Sequence, residues 1–561
     1  MKKTVFAWLI SGAFAVPVCA QTQIPIPPML EGTTFDLTAQ SGTTEIFPGI
    51  QTETKGYNGS QLAPTLILQK GETVTLNVQN MLGDTTTTHW HGLHISPSND
   101  GSPHTPIMAG ETWSPSFEVM DNAATYWYHP HLHGKTLGQV VKGLAGFIIV
   151  RDAEEAALAL PRTYGVDDVP LVFQWKTFDA AKQIVEKDEA DNEVLVNGIL
   201  RGGNLNLPAQ VVRLRLLNGS SHRYFDFGFA NALSFKQIGG DGGLLDAPVS
   251  MTKLILAPGE RAEILVDLTG KEGQTLTLRQ FGTQLPQGYP GGAMMMMGGG
   301  GMMGVLDDTD FDLMKISVTA PTAGAITTIP ATLTTNTPYP QTGATPRSFA
   351  MTAQPMMSMD NFFINGSKFD METVNFTTEL GKTEVWTLTN QTMMAHPFHI
   401  HGLSFYVVSV NGAAPPANMK GRKDVVTVPP MTGSVKVAVR FEDFADPDMP
   451  YMYHCHILSH EETGMMGQFL VTSPSTSTNE QQPNAACPIC INALPMPSGV
   501  DFSKVVRAEV FDLAGRLMRV HEKGSLGGSS LDVSGLPTGT YLMKMSDSAG
   551  GTVAVQRFFK K

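Results

Sequence analysis

SPSFEVMDNAATYWYHPH, residues 114–131, decides how the rest of the chain is read. Apolar and polar residues alternate on both sides of a break at Asp121-Asn122, in runs too short for helices, so the stretch predicts two strands joined by a turn. It ends on two histidines two residues apart. Side chains with that spacing on a strand share a face, so His129 and His131 present both imidazoles to one place.

The same alternation recurs in PTLILQKGETVTLNVQN (64–80) and GLAGFIIVRD (143–152). It resumes in LPAQVVRLRLLNGS (207–220) and ERAEILVDL (260–268), and again in KTEVWTLTNQ (382–391) and MGQFLVTS (466–473). The expectation is an all-β chain with three consecutive β-sandwich domains at 21–155, 156–320 and 345–473, each long enough for one core. A Pro/Thr/Ala-rich stretch, 321–344, links the second and third. Composition agrees: 561 residues exceed one core, and 56 glycines and 37 prolines with only 16% charged residues suit turn-rich β structure. A net charge of −13 without a basic cluster excludes nucleic acid as a partner.

Residues 1–20 read as an export signal: two lysines, an apolar run from Val5 to Val16, and Val18-Cys19-Ala20 before Gln21. Cleavage is expected after Ala20, with a lipid anchor on Cys19 as the weaker alternative. No later segment is apolar enough to span a bilayer, so the expected chain is exported, passing the periplasm to the cell surface or medium. With Cys19 removed, Cys455, Cys487 and Cys490 remain, too few for a disulfide scaffold. Cys487 and Cys490 lie in a Ser/Thr/Gln/Pro-rich linker, 474–499, as a local disulfide or as idle linker.

Residues 500–561 predict a small C-terminal β domain. Its strand ending in DLAGR (512–516), its LPTGTY (536–541) and its Lys560-Lys561 terminus resemble the sorting domain of type IX secretion cargo. The resemblance implies the type IX secretion machinery as a partner.

Eleven of the 15 histidines fall in four short segments: HWHG (89–92), HPHLHG (129–134), HPFHIHG (396–402) and HCHILSH (454–460). Each holds a His-x-His pair, so His89/His91, His129/His131, His399/His401 and His454/His456 offer eight ring nitrogens from two distant parts of the chain. Eight imidazoles can hold three metal ions with open positions for a small ligand, at the interface of the first and third domains. Cys455, between His454 and His456, faces the other way, with His396, His460 and Met465 as its natural partners. One thiolate, two imidazoles and a thioether form the ligand set of a blue-copper electron-transfer centre. Zinc, the rival metal, needs neither eight imidazoles nor a cysteine beside a methionine.

These four segments resemble the copper-binding motifs of the multicopper oxidases over residues 40–473, and HCHILSHEETGMM (454–466) is close to the form in bacterial cuprous oxidases and laccases. The resemblance implies cupredoxin-like Greek-key sandwiches and four coppers per chain. Carried over by position, His396, Cys455, His460 and Met465 match the type 1 ligands. His89 and His399 match the type 2 ligands, and His91, His129, His131, His401, His454 and His456 the type 3 pair. His133 is then a supporting residue. Asp100 and Glu461 correspond to carboxylates that deliver protons, which reduction of dioxygen to water consumes along with electrons.

AMMMMGGGGMMG, residues 293–304, fits neither period. Alone it is slack low-complexity chain or a soft-metal surface. Beside the resemblance it reads as a flexible loop whose thioethers, Met294, Met295, Met296, Met297, Met302 and Met303, capture Cu(I). A second methionine group, AMTAQPMMSMD (350–360), falls where similar cuprous oxidases bind substrate copper, with Met356, Met359 and Asp360 as candidates beside Met351 and Met357. One departure is Thr392, where such oxidases carry an acid four residues before His396. The expected reaction is oxidation of Cu(I), phenols or diamines with dioxygen as acceptor, in copper tolerance. The alternatives are a general laccase or bilirubin-oxidase-like enzyme, and a copper-binding protein without turnover.

Overall fold

The computed structural model describes residues 22–187, 191–293, 304–354 and 361–474, together with parts of 493–560. Strands dominate because the alternation seen in the sequence is satisfied: along Thr383–Asn390 every second side chain is buried. The chain up to Pro474 forms one compact unit, and Ser475–Lys561 a second.

The first unit contains three β-sandwiches. In the first, a five-stranded sheet runs in the order Met29–Glu31, Thr65–Gln69, Gly146–Arg151, Ala124–His129, His89–His91. It faces a sheet built on Ile50–Tyr57, Thr34–Phe47 and Thr73–Met81, and Phe35, Leu66, Val78, Tyr126 and Ile148 fill the space between. Thr34–Phe47 pairs parallel to Thr73–Met81, and Met29–Glu31 to Thr65–Gln69, so the chain crosses between sheets instead of meandering. The second sandwich, a seven- and a five-stranded sheet, closes over Phe173, Leu214, Phe227 and Ile264. The third, a six- and a five-stranded sheet, closes over Phe349, Trp386, Phe398 and Phe469.

Residues 321–344 form no strand, yet they are held along the second sandwich. Leu333 is buried against Val211 and Leu265, and its N–H donates to the Asp246 carbonyl at 2.9 Å. The first and third sandwiches meet where the short helices Thr136–Val141 and Leu458–Glu462 touch. Leu137 N donates to Glu462 Oε1 at 2.8 Å, and Leu137, Val140 and Leu458 share one apolar cluster. That contact brings the histidine segments of the two domains together.

The C-terminal unit holds a four-stranded antiparallel sheet in the order Leu517–Glu522, Arg507–Asp512, Gly539–Ser546, Thr552–Lys560, with Ala508, Val510, Met543 and Met545 buried, and a two-stranded pair, Ala493–Pro495 with Ser530–Asp532. Among the described residues no helix is long and apolar enough to cross a membrane. Residues 1–20, Met294 to Met297, Met302, Met303, Met356, Met357, Met359, Asp360, Cys487 and Cys490 lie outside the described residues.

Candidate metal centre

Strand pairing assembles the histidines in register. His89 lies opposite His129 on adjacent strands of the first sandwich, and His399 opposite His454 in the third. The two sheets present these pairs to each other, and all eight rings are buried. Their nitrogens converge in groups within 4.8 Å: His91 with His129 and His456, His131 with His401 and His454, and His89 with His399 and His401.

Most rings are held from behind. His89 Nδ1 lies 2.8 Å from the Asp100 carbonyl, His129 Nδ1 2.8 Å from that of Pro130, and His399 Nδ1 2.8 Å from that of Asp424. His454 Nδ1 lies 3.0 Å from the Cys455 carbonyl and His401 Nδ1 2.7 Å from Asp100 Oδ2. A carbonyl or carboxylate oxygen only accepts, so each of these nitrogens carries the proton and leaves Nε2 bare toward the centre. His91 is reversed: Nε2 donates to Asp424 Oδ1 at 3.1 Å, so Nδ1 faces inward.

The centre fits a metal. His89 Nε2, His399 Nε2 and both ring nitrogens of His456 are buried with no hydrogen-bond partner, and His454 Nε2 stands 3.1 Å from Nε2 of both His131 and His401. Burial, and then the neighbouring rings, hold the pKa values of His129, His131, His399 and His401 well below the ordinary histidine range. Unpaired neutral nitrogens crowded in a dry site are costly, and cations are the partners that relieve all of them together.

On the far side of the Asp446–Cys455 strand a second group forms. Cys455 Sγ lies 3.4 Å from His396 Nδ1 and 3.6 Å from His460 Nδ1. Met465 is buried beside them, its carbonyl accepting from Cys455 N at 3.0 Å. Burial pushes the Cys455 thiol up, as it does any thiol taken out of water. Phe362 covers both histidines, at centroid distances of 5.0 and 4.1 Å.

Asp100 and Glu461 are both buried against the rings. Glu461 Oε1 is 3.6 Å from His131 Nδ1 and Oε2 is 3.4 Å from His454 Nδ1. Burial raises the Glu461 carboxyl well above its ordinary range, against a smaller pull from Thr136. His133 stands outside the cage: it is exposed, with its ring edge-on to Phe369 at 5.2 Å, instead of supporting a ligand. Met351 belongs to the core of the third sandwich.

Four contributors escaped the sequence reading. Asp424 holds His91 with its carboxylate and His399 with its carbonyl. Arg261 pairs with Asp424, and Gly259 leaves room for His456, whose ring atoms would lie 2.9 to 3.0 Å from a Cβ there. The ring of His222 meets that of His460 at 5.8 Å. None sits in a His-x-His motif, so only the unusual RKDVV and APGER stretches could have marked three of them, Asp424, Gly259 and Arg261.

Family models described as multicopper oxidase match residues 38–155 and 337–475. A multicopper oxidase mco from Staphylococcus epidermidis is 36% identical over 448 residues, covering 78% of this chain and 88% of that one. A cell division protein FtsP from Photorhabdus laumondii is 32% identical over 463 residues, covering 81% of this chain and 93% of that one. A laccase-like multicopper oxidase CueO from Ochrobactrum sp., with activity towards lignin model compounds, superposes with a TM-score of 0.72 at 34% identity, covering 80% of this chain and 100% of that one.

Proposed function

We propose that this chain, which belongs to the multicopper oxidase family, oxidises Cu(I) at the Cys455 centre and reduces dioxygen to water at the histidine cage. Copper is the cofactor, and four ions, when bound, supply the one-electron steps that separate substrate oxidation from the four-electron reduction of dioxygen. His396, Cys455, His460 and Met465 hold the type 1 ion in this reading. His89 and His399 hold the type 2 ion, and the two three-histidine groups hold the type 3 pair. The single observation that carries it is the placement of the two donor sets on opposite faces of one strand end. Cys455 is bonded through the backbone to His454 and His456, so the route between the sets is two residues long.

Glu461 stands beside His131 and His454, and Asp100 orients His401 through Nδ1 and His89 through its carbonyl. Reduction of one dioxygen to two waters takes four protons, and Asp100 and Glu461, both buried beside the rings, are the carboxyls proposed to pass them inward.

Cu(I) as substrate is supported by where the methionine-rich segment starts. Gly288 N donates to the Ala293 carbonyl at 3.0 Å, and the Gly288 carbonyl accepts from Ala395 N at 2.8 Å, next to His396. Ala293 is therefore linked through Gly288 to the residue before His396, and the proposed Cu(I) ligands Met294 to Met297, Met302 and Met303 follow Ala293 in sequence. Met356, Met359 and Asp360 are further proposed substrate-copper ligands. Export through the N-terminal signal and surface delivery through the C-terminal unit and a type IX machinery complete the proposal, placing the enzyme in copper tolerance.

Deletion of 294–303 tests the substrate. Turnover of Cu(I) is expected to fall while oxidation of a bulky phenol is kept or rises; equal loss of both overturns the loop's role. The laccase-like structural relative supports phenols as a second substrate class. The relative named a cell division protein supports a role other than copper tolerance as the second reading. Four coppers per chain with oxygen uptake decides for the oxidase, and one or two coppers without uptake against it.

A further inference from the structure

The middle sandwich contributes no ring to the histidine cage, yet one of its side chains reaches it. Arg261 begins the strand Arg261–Asp267 and is fully buried. All five of its N–H groups are used. Nη1 donates to Asp424 Oδ1 at 2.7 Å and to the Gly259 carbonyl at 3.1 Å. Nη2 donates to Asp424 Oδ2 at 2.5 Å and to the Asp241 carbonyl at 2.9 Å, and Nε donates to the Thr125 carbonyl at 3.0 Å.

Those partners belong to all three sandwiches. Thr125 lies on the strand that ends in His129, and Asp424 directly precedes the strand paired with His396–His399. Asp424 in turn accepts from His91 Nε2 at 3.1 Å and, through its carbonyl, from His399 Nδ1 at 2.8 Å. Gly92, with φ +92, completes the fit: a Cβ there would collide with Asp424 Oδ2 and stand 2.8 Å from Arg261 Nη2. The chain after His91 can pass this ion pair only as glycine.

We propose that Arg261 is a positioning residue for the histidine cage. Its bidentate grip fixes the Asp424 carboxylate, which fixes the His91 ring and the loop holding His399. Retention of cage copper thereby depends on docking of the middle domain. The grip needs a planar fork; a lysine ammonium in the same place keeps the charge and cannot hold both oxygens. The inference rests on the cage holding copper, as proposed above.

The test compares the full chain with its Arg261→Lys and Asp424→Asn variants after copper loading. It reads copper per chain, the non-blue paramagnetic copper signal, the blue thiolate absorption and the unfolding temperature. Arg261→Lys is expected to weaken cage copper about 10- to 100-fold, the usual cost of losing a ligand's outer partner, while the blue absorption stays. Asp424→Asn leaves the Arg261 bonds to Thr125, Gly259 and Asp241 in place, so docking survives, and it is expected to lose the same copper. A merely structural role would instead lower the unfolding temperature and take the blue absorption with it. Should Arg261→Lys fail to fold, Asp424→Asn decides alone. A wild-type chain that never binds cage copper overturns the reading beneath both. A wild-type chain that binds it, with variants that keep it, overturns this inference alone.

Discussion

Thr392 Oγ1 lies 2.7 Å from His396 Nε2, and the same hydroxyl stands 2.9 Å from Asn390 Oδ1 and 3.0 Å from the Met394 carbonyl. Its one proton goes to an acceptor-only oxygen, so its lone pair receives the His396 Nε2 proton and leaves Nδ1 bare toward Cys455. The departure from an acid at this position therefore preserves the tautomer a metal ligand needs. Thr392→Val is expected to weaken copper at the Cys455 centre about 10-fold, and Thr392→Ser to restore it, as read by titration of the blue absorption. Unchanged affinity in Thr392→Val removes the hydroxyl from this role.

Glu461→Gln keeps the shape of the side chain and removes its transferable proton. Oxygen consumption is expected to fall about a hundred- to ten-thousandfold, with copper content and blue absorption unchanged. Single-turnover reoxidation of the reduced protein measures the step directly. Loss of copper together with rate would make Glu461 a structural residue instead.

Gly259 has φ +81 and lies under the His456 ring, where a Cβ would come within 2.9 Å of Nε2. Gly259→Ala therefore meets both backbone strain and a clash. It is expected to cost about 1–3 kcal/mol and to displace His456, reducing cage copper more than blue copper. Chemical denaturation and metal analysis of the same sample check the two effects separately.

Lys176 is buried, with Nζ donating to the Val141 carbonyl at 2.6 Å, and burial lowers its pKa to about 7. An unfolded lysine keeps its ordinary, higher value, so between about pH 7 and pH 10 the unfolded chain binds more protons than the folded one. Stability from this group therefore rises with pH across that window and is lowest below it. Lys176→Met is expected to flatten the rise and to stabilise the protein below pH 7. Unfolding temperatures from pH 6 to pH 10 measure both; an identical pH slope in the two proteins rules the group out.

The strands were legible because their side-chain period is two, and a sandwich strand such as Thr383–Asn390 records its buried face in every second letter. The same period made the donors legible: His129 and His131, or His454 and His456, share a face because they are two apart, and Cys455 between them faces the other way. The held path of 321–344 was not legible, since Leu333 finds its cover in Val211 and Leu265, far away in sequence.

By itself, then, the sequence determined which residues can donate to metal and that they fall into two sets on opposite faces of one strand, because spacing along a strand is a local property. Only the tertiary structure decided what holds those donors in place. Arg261 reaches Asp424 across 163 positions and Asp100 reaches His401 across 301. A carboxylate's partner at that separation is set by how domains dock, and docking leaves no period in the chain to read.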